Sequence, residues 1–303
     1  MAQDMPAAEI DVTVDLVRRL LAAQHPDLAD RPLDVVANGW DNAIVRVGDD
    51  LVARIPRRRQ GAELVEHEQR WLPELAARLP IPIATPVRVG LPTEEYPWRW
   101  SICPWFDGDV AADVELAEPE RAADRLAAFV ADLHAVAPPD APENPHRGQP
   151  VRLLRERVVA NVPRLDDPQL AGRILGHAEV LARAPEWSGA PVWLHGDLHS
   201  ANVIVRDGSI AAVLDFGDIT SGDPAVDLAI AWMLFEGEAL ERFRAGAGSG
   251  GAGGGGGGVD DDTWARAQLW GLHFAVLYLL HSADAPRFAR MGRRLLGRLL
   301  PAD

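Results

Sequence analysis

Short apolar runs with strand character fill the first hundred residues, and helical periodicity takes over after Asp107-Gly108. Val14–Gln24 has a helical pattern, with Thr13 placed to cap its start and Pro26 beyond its end. Asn42–Val47 and Leu51–Ile55 read as strands joined through Gly48-Asp49-Asp50, a hairpin signal. A helix is expected over about Ala62–Leu79, stopped by Pro80 and Pro82. Pro86–Gly90 and Trp98–Cys103 read as two further strands, so this part predicts a small sheet carrying one inserted helix.

Beyond Asp107 the period changes. Leu126, Phe129, Val130 and Leu133 fall on one helical face. Helices are predicted over Val151–Asn161, Gln169–Arg183, Asp227–Phe235, Trp264–Ser282 and Pro286–Leu300. One strand pair, Asn202–Val205 and Ala211–Leu214, interrupts them and turns at Asp207-Gly208. The glycine run from Ala245 to Gly258 lacks the strand-to-helix setting of a phosphate loop and reads as a flexible surface linker. Asp260-Asp261-Asp262 could attract a polyamine, and it also fits a helix start, where acids favour the dipole.

Composition narrows the picture. With 303 residues and 48% hydrophobic content, the chain can bury one large core or two packed lobes. No apolar run reaches the length of a membrane-spanning helix. The single cysteine, Cys103, excludes an internal disulfide and reads as a buried small hydrophobe. Met1–Ile10 carries two acids and no signal-peptide pattern, so a cytoplasmic protein is expected. A net charge of −15 argues against a nucleic-acid partner. It is compatible with a cationic small-molecule partner, because an acidic cleft concentrates cations, and with plain solubility.

Candidate chemistry concentrates between Val192 and Asp227. Two runs carry it, His195-Gly196-Asp197-Leu198-His199-Ser200-Ala201-Asn202 and Leu214-Asp215-Phe216-Gly217-Asp218. Phosphoryl transfer needs a carboxylate to orient the attacking hydroxyl and hard oxygen ligands to hold magnesium on the phosphates. A hairpin between Asn202 and Asp215 brings Asp197, Asn202 and Asp215 to one end, with Asp197 as base and Asn202 and Asp215 as metal ligands. His195 and His199 are also spaced as zinc ligands on a helix, but Gly196 breaks the segment and no third ligand is evident. His195 is expected instead to buttress the loop.

The paired motifs resemble the catalytic and metal loops of the protein-kinase-like fold, and His-Gly-Asp-Leu-His resembles the aminoglycoside phosphotransferase family specifically. Gly196 stands where protein kinases usually carry arginine. The resemblance implies an α+β fold, with a small nucleotide-binding lobe over residues 1–104 and a larger helical catalytic lobe over 105–303. It implies an enzyme using ATP or GTP with Mg2+ to phosphorylate a hydroxyl of a small molecule. It also implies a phosphate loop at Asn38–Asn42 with one glycine, Gly39, and a cation on the following strand. Arg54 stands where lysine is usual, in a chain without any lysine. Of Glu63, Glu66 and Glu68, the pattern favours Glu68 as the partner of that cation. Pro104 and Phe106 would offer a carbonyl and an N–H to the base. Arg57, Arg58 and Arg59 are expected to be solvated, and Asp227 to cap or anchor the helix that follows it.

Two other readings compete with this one. Arg54 and the glycine-poor loop would suit a catalytically weak nucleotide-binding module, against which the intact Asp197, Asn202 and Asp215 set argues. The acceptor could equally be an aminoglycoside, another antibiotic, an amino sugar or an amino alcohol, because a fold fixes no acceptor.

Overall fold

The computed structural model describes residues 7–248, 258–281 and 285–301. Thr13 caps helix α1 (Val14–Gln24), its hydroxyl accepting from the Leu16 N–H at 3.2 Å. Five strands then form an antiparallel sheet: β1 (Leu33–Asn38), β2 (Asn42–Val47), β3 (Leu51–Pro56), β4 (Arg88–Gly90) and β5 (Trp100–Pro104). Their order is β1-β2-β3-β5-β4, with helix α2 (Arg59–Ala76) inserted after β3. Alternate residues of β2, Ala43, Val45 and Val47, are buried with Leu16, Val17, Leu20 and Leu21 of α1. That period of two puts one sheet face against α1. Across the strands, α2 packs on β3 and β5, which brings Glu68 to Arg54.

The inserted helix departs from expectation at both ends. It begins at Arg59 and stops at Ala76, well before Pro80. Arg78 and Leu79 both turn back onto the Leu75 carbonyl, and Arg78 reaches the backbone carbonyls of Asp132 and Leu133.

A short strand β6 (Asp109–Val110) leads into the helical part. Helices α3 (Pro119–Leu133), α4 (Val151–Asn161) and α5 (Pro168–Leu181) precede strand β7 (Val192–Leu194) and the hairpin β8 (Val203–Arg206) and β9 (Ser209–Val213). Strand β10 (Thr220–Gly222) pairs with β7, and β6 pairs with β8. The chain closes with α6 (Ala225–Leu228), α7 (Ile230–Leu234), α8 (Gly237–Gly246), α9 (Asp261–Leu280) and α10 (Pro286–Leu299). Helix α9 is buried over most of its length, and α4, α5, α6 and α10 pack around it. Asp260 caps α9 through the Thr263 N–H, as the acidic triplet predicts. The centre of the glycine run, residues 249–257, lies outside the described residues. Among the described residues no helix is long and apolar enough to cross a membrane.

The fold is the expected α+β arrangement, a small antiparallel sheet followed by a mostly helical part. The two meet where Val213 of β9 donates its N–H to the Pro82 carbonyl at 3.0 Å. The end of the β8–β9 hairpin therefore lies beside the sheet.

Candidate active site

The loop after β7 is fixed from beneath. Asp227 on α6 is fully buried, and its carboxylate accepts the N–H groups of His195 at 2.8 Å and Gly196 at 2.9 Å. His134 lies 3.2 Å from the same carboxylate. Asp227 thus anchors the loop thirty residues upstream, where the sequence reading has it serve the helix that follows. His195 is the expected buttress. Its Nε2 donates to the Leu214 carbonyl at 2.9 Å, and its Nδ1 accepts the Asp197 N–H at 3.2 Å. Both ring nitrogens are thereby engaged, and no group of three or more His, Cys, Asp or Glu among the described residues is arranged for a metal. The zinc reading finds no donor set.

Gly196 has φ of +83°, and a Cβ there would sit 2.4 Å from the Asp218 carbonyl. Only glycine turns the chain this tightly, and the turn sets the direction of Asp197 that follows it. Asn202 donates Nδ2 to the Asp197 carbonyl at 3.0 Å, which fixes the side-chain amide. The Leu214 N–H reaches the Asn202 carbonyl at 2.8 Å, tying both ends of the hairpin. Asp215 follows with φ of +59°, in the left-handed region that a non-glycine residue rarely adopts. Its side chain is 56% exposed, open to a ligand.

From the sheet, Arg54 of β3 reaches across. Its Nη2 donates to Glu68 Oε1 at 2.8 Å and to Asp215 Oδ1 at 3.0 Å. Burial works against the Arg54 charge, but Glu68 and Asp215 outweigh it and hold the guanidinium protonated. Burial pushes the Glu68 carboxyl above its usual range, against the pull of Arg54. The protein packed around the Asp215 carboxylate would raise it even though the side chain is half open to solvent, but Arg54 outweighs this and lowers that carboxyl. Glu63 and Glu66 make no contact with Arg54, so Glu68 alone of the three candidates is its partner.

Gly39 lies in the β1–β2 turn, donating its N–H to the Asn42 carbonyl at 2.8 Å. Two arginines expected in solvent brace this turn instead. Arg57 donates Nη1 to the Gly39 carbonyl at 2.9 Å, and Arg58 lies 3.4 Å from Asp41. Gly61 lets α2 approach, since a Cβ there would be 2.7 Å from the Asp41 carbonyl. The Asp41 carboxyl is raised by burial, against Arg58, with the charges of Asp215 and Asp218 adding to the rise.

A small apolar cluster lies on the sheet. Val52, Ala84 and Cys103 are buried there, with Ile44, Phe106 and Leu214 partly covered against them. Cys103 is the buried hydrophobe expected, its thiol pushed up to about 12 by burial, with Arg54 opposing. Leu51 faces Pro104, and the next ladder bond runs from the Trp105 N–H to the Asp50 carbonyl at 2.8 Å. By the alternation of an antiparallel ladder, the Pro104 carbonyl and Phe106 N–H point away from β3. The backbone beside this cluster thus has one acceptor and one donor not used by the ladder with β3.

Sequence reasoning missed the groups on the far side of Asp197. Arg147, from the loop between α3 and α4, donates Nη2 to Asp197 Oδ1 at 2.9 Å. The same nitrogen lies 2.8 Å from Asp218 Oδ2, and Asn144 holds the other Asp218 oxygen at 2.8 Å. His199 Nε2 stands 3.4 Å from Asp197 Oδ2. Burial alone would raise the Asp197 carboxyl, but Arg147 and His199 hold it well below the usual carboxylate range. Asp218 was visible one residue past Asp-Phe-Gly, whereas no local pattern marks Arg147.

A family model described as phosphotransferase enzyme family matches residues 33–270, more than three quarters of the chain. The chain belongs to that family. No curated protein matches it. Among solved structures, this phosphotransferase resembles APH(2")-IIia in complex with GDP and kanamycin, with a TM-score of 0.70 and 22% identity, covering 93% of this chain and 97% of that one. It resembles a macrolide 2'-phosphotransferase type I with a TM-score of 0.59 and 20% identity, covering 97% and 100%. The macrolide 2'-phosphotransferase MphH from Brachybacterium faecium gives a TM-score of 0.58 and 23% identity, covering 93% and 97%. At these identities the likeness is one of fold.

Proposed function

We propose that this phosphotransferase moves the γ-phosphoryl group of ATP or GTP onto a hydroxyl of a small molecule, with Asp197 as the base. The observation that carries the reading is the convergence of Asp197, Asn202 and Asp215 at one hairpin end, with Arg54 bonded to Asp215. Asp197 is held ionised, so it can accept the hydroxyl proton as that oxygen bonds to phosphorus and the bridging β–γ oxygen leaves. Arg54 supplies a forked, permanent charge for phosphate oxygens in place of lysine, held in line by Glu68.

Asn202 and Asp215 offer hard oxygen donors, one of them solvent-open, which fits a magnesium ion that keeps water and phosphate ligands. Bound there, magnesium would neutralise charge on the phosphates. The apolar cluster and the Pro104 carbonyl and Phe106 N–H beside it would suit the face and edge of a purine base, and Gly39 would belong to the turn covering the phosphates. In this reading residues 1–104 form the nucleotide side and 105–303 the catalytic and acceptor side. The buried thiol and the need for nucleotide triphosphate suit the cytoplasm.

The acceptor classes to test follow from the solved relatives and from the acidic charge: aminoglycosides, macrolides, amino sugars and amino alcohols. Nucleotide consumption with magnesium should rise on adding the right alcohol, and phosphorus NMR should show a phosphomonoester. Nucleotide binding without product on any member of such a panel would favour the binding-module reading.

A further inference from the structure

Beside Asp197 stands a cation of the chain's own. Arg147 Nη2 bridges Asp197 at 2.9 Å and Asp218 at 2.8 Å, and Arg147 Nε donates to Asp218 Oδ2 at 3.1 Å. Its guanidinium stands 5.6 Å from the Phe274 ring centroid. Two carboxylates beside an aromatic face make the arrangement that binds an organic ammonium group. Here one side chain, 17% exposed, occupies it.

The loop that carries Arg147 is locked. Arg157 donates to the carbonyls of Pro145 at 2.8 Å and His146 at 3.0 Å. Gln149 donates back to the carbonyls of Asn144 and Arg147. Gly148 has φ of +58°, and a Cβ there would sit 2.8 Å from Leu194 Cδ1. Withdrawing Arg147 from the cleft would require undoing this clasp. Burial works against its charge, but Asp197 and Asp218 outweigh it, so it stays protonated.

We propose that Arg147 is a specificity-determining residue, a built-in counter-cation that takes the place an acceptor's ammonium groups would occupy between Asp197 and Asp218. The acceptor class that fits is then an alcohol whose substituents near the reacting hydroxyl are neutral or carry a single positive charge, and polycationic acceptors are disfavoured. The inference rests on the reading of Asp197 as the acceptor-side base, and it narrows the acceptor without altering the chemistry.

Binding of two probes tests it apart from turnover. Kanamycin serves as the polycation and erythromycin, with one amine, as the single cation. Each is titrated calorimetrically into the full chain loaded with magnesium and a non-hydrolysable ATP analogue. Arg147→Ala should bind kanamycin at least about tenfold more tightly than the unmodified protein, because two carboxylates are uncovered. Erythromycin affinity should move by less than about threefold, and Arg147→Lys, which keeps the charge, should behave as the unmodified protein. Should Arg147→Ala fail to fold, Arg147→Gln keeps an amide donor where Nε meets Asp218, removes the charge, and should gain kanamycin affinity in the same direction. Tight kanamycin binding by the unmodified protein, or no gain in either neutral variant, would overturn the proposal. Because the readout is affinity, it can fail while phosphoryl transfer stands. Loss of transfer on every acceptor would instead strike the functional reading.

Discussion

At the scale of single residues, the site is a chain of charges in which each member sets the next. Arg54 is the link between sheet and hairpin, and it is buried with Glu68. Replacing it by methionine strips the cation from a buried carboxyl. Breaking such a pair costs about 3–5 kcal/mol, less whatever Glu68 recovers by taking a proton. Urea unfolding of Arg54→Met should show that loss, together with a rise in KM for nucleotide. Arg54→Lys should recover part of both. Asp197 gives a pH prediction with a definite sign. Its carboxyl is depressed, so it contributes stability above its ordinary 3.8 that is lost as pH falls through its lower folded value. In the proposed reaction the same depression keeps Asp197 ionised into acid. Arg147 opposes the rise that burial would cause, so Arg147→Ala should move the acidic limb of kcat/KM to higher pH. An unmoved limb would mean that Arg147 does not govern Asp197.

Among elements, the β8–β9 hairpin was legible because both of its flanking motifs are local and its turn carries Asp207-Gly208. Helix α8 was not read. Only Ala239 and Phe243 of its ten residues are buried, too few to write a stripe, and its end runs into the glycine-rich segment. Arg147 escaped because its partners lie 50 and 71 residues away, and no period or motif encodes such a meeting. Asp227 was seen as structural, but its target was misjudged, since the sequence shows the helix it begins and not the loop it underpins. Two predictions belong at this scale. Asp227→Asn presents an amide donor to one of two buried N–H groups, and leaving such a group unsatisfied costs about 1–3 kcal/mol. Unfolding and kcat/KM should fall together in that variant. Gly61→Ala should push the Asp41 turn away from α2 and raise the KM for nucleotide, with the KM for acceptor nearly unchanged.

For the whole molecule, the sheet and the helical part contribute different groups to one cleft. Arg54, Glu68 and the Asp41 turn come from the first, and Asp197, Asn202, Asp215 and Arg147 from the second. A ligand that touches both should stabilise the folded chain as a unit. At 100 times its Kd, nucleotide with magnesium should add about 2.7 kcal/mol. Thermal unfolding should therefore shift upward by several degrees with nucleotide and magnesium, and by less when EDTA removes the metal. The net charge of −15 was legible from composition and suggested a cationic acceptor. The side chains around Asp197 show a different local balance, because Arg147 cancels one of the two carboxylates there. Global charge describes the surface, and the acceptor meets the few groups inside the cleft.

The central claim is that Asp197 is the base at a site whose nucleotide contacts are made elsewhere. The most direct test is single-turnover phosphoryl transfer by Asp197→Ala with nucleotide affinity measured alongside. Transfer should fall by roughly 10²–10⁴ while nucleotide affinity stays within about threefold, the scale expected for losing a general base. Transfer at the unmodified rate would contradict the account.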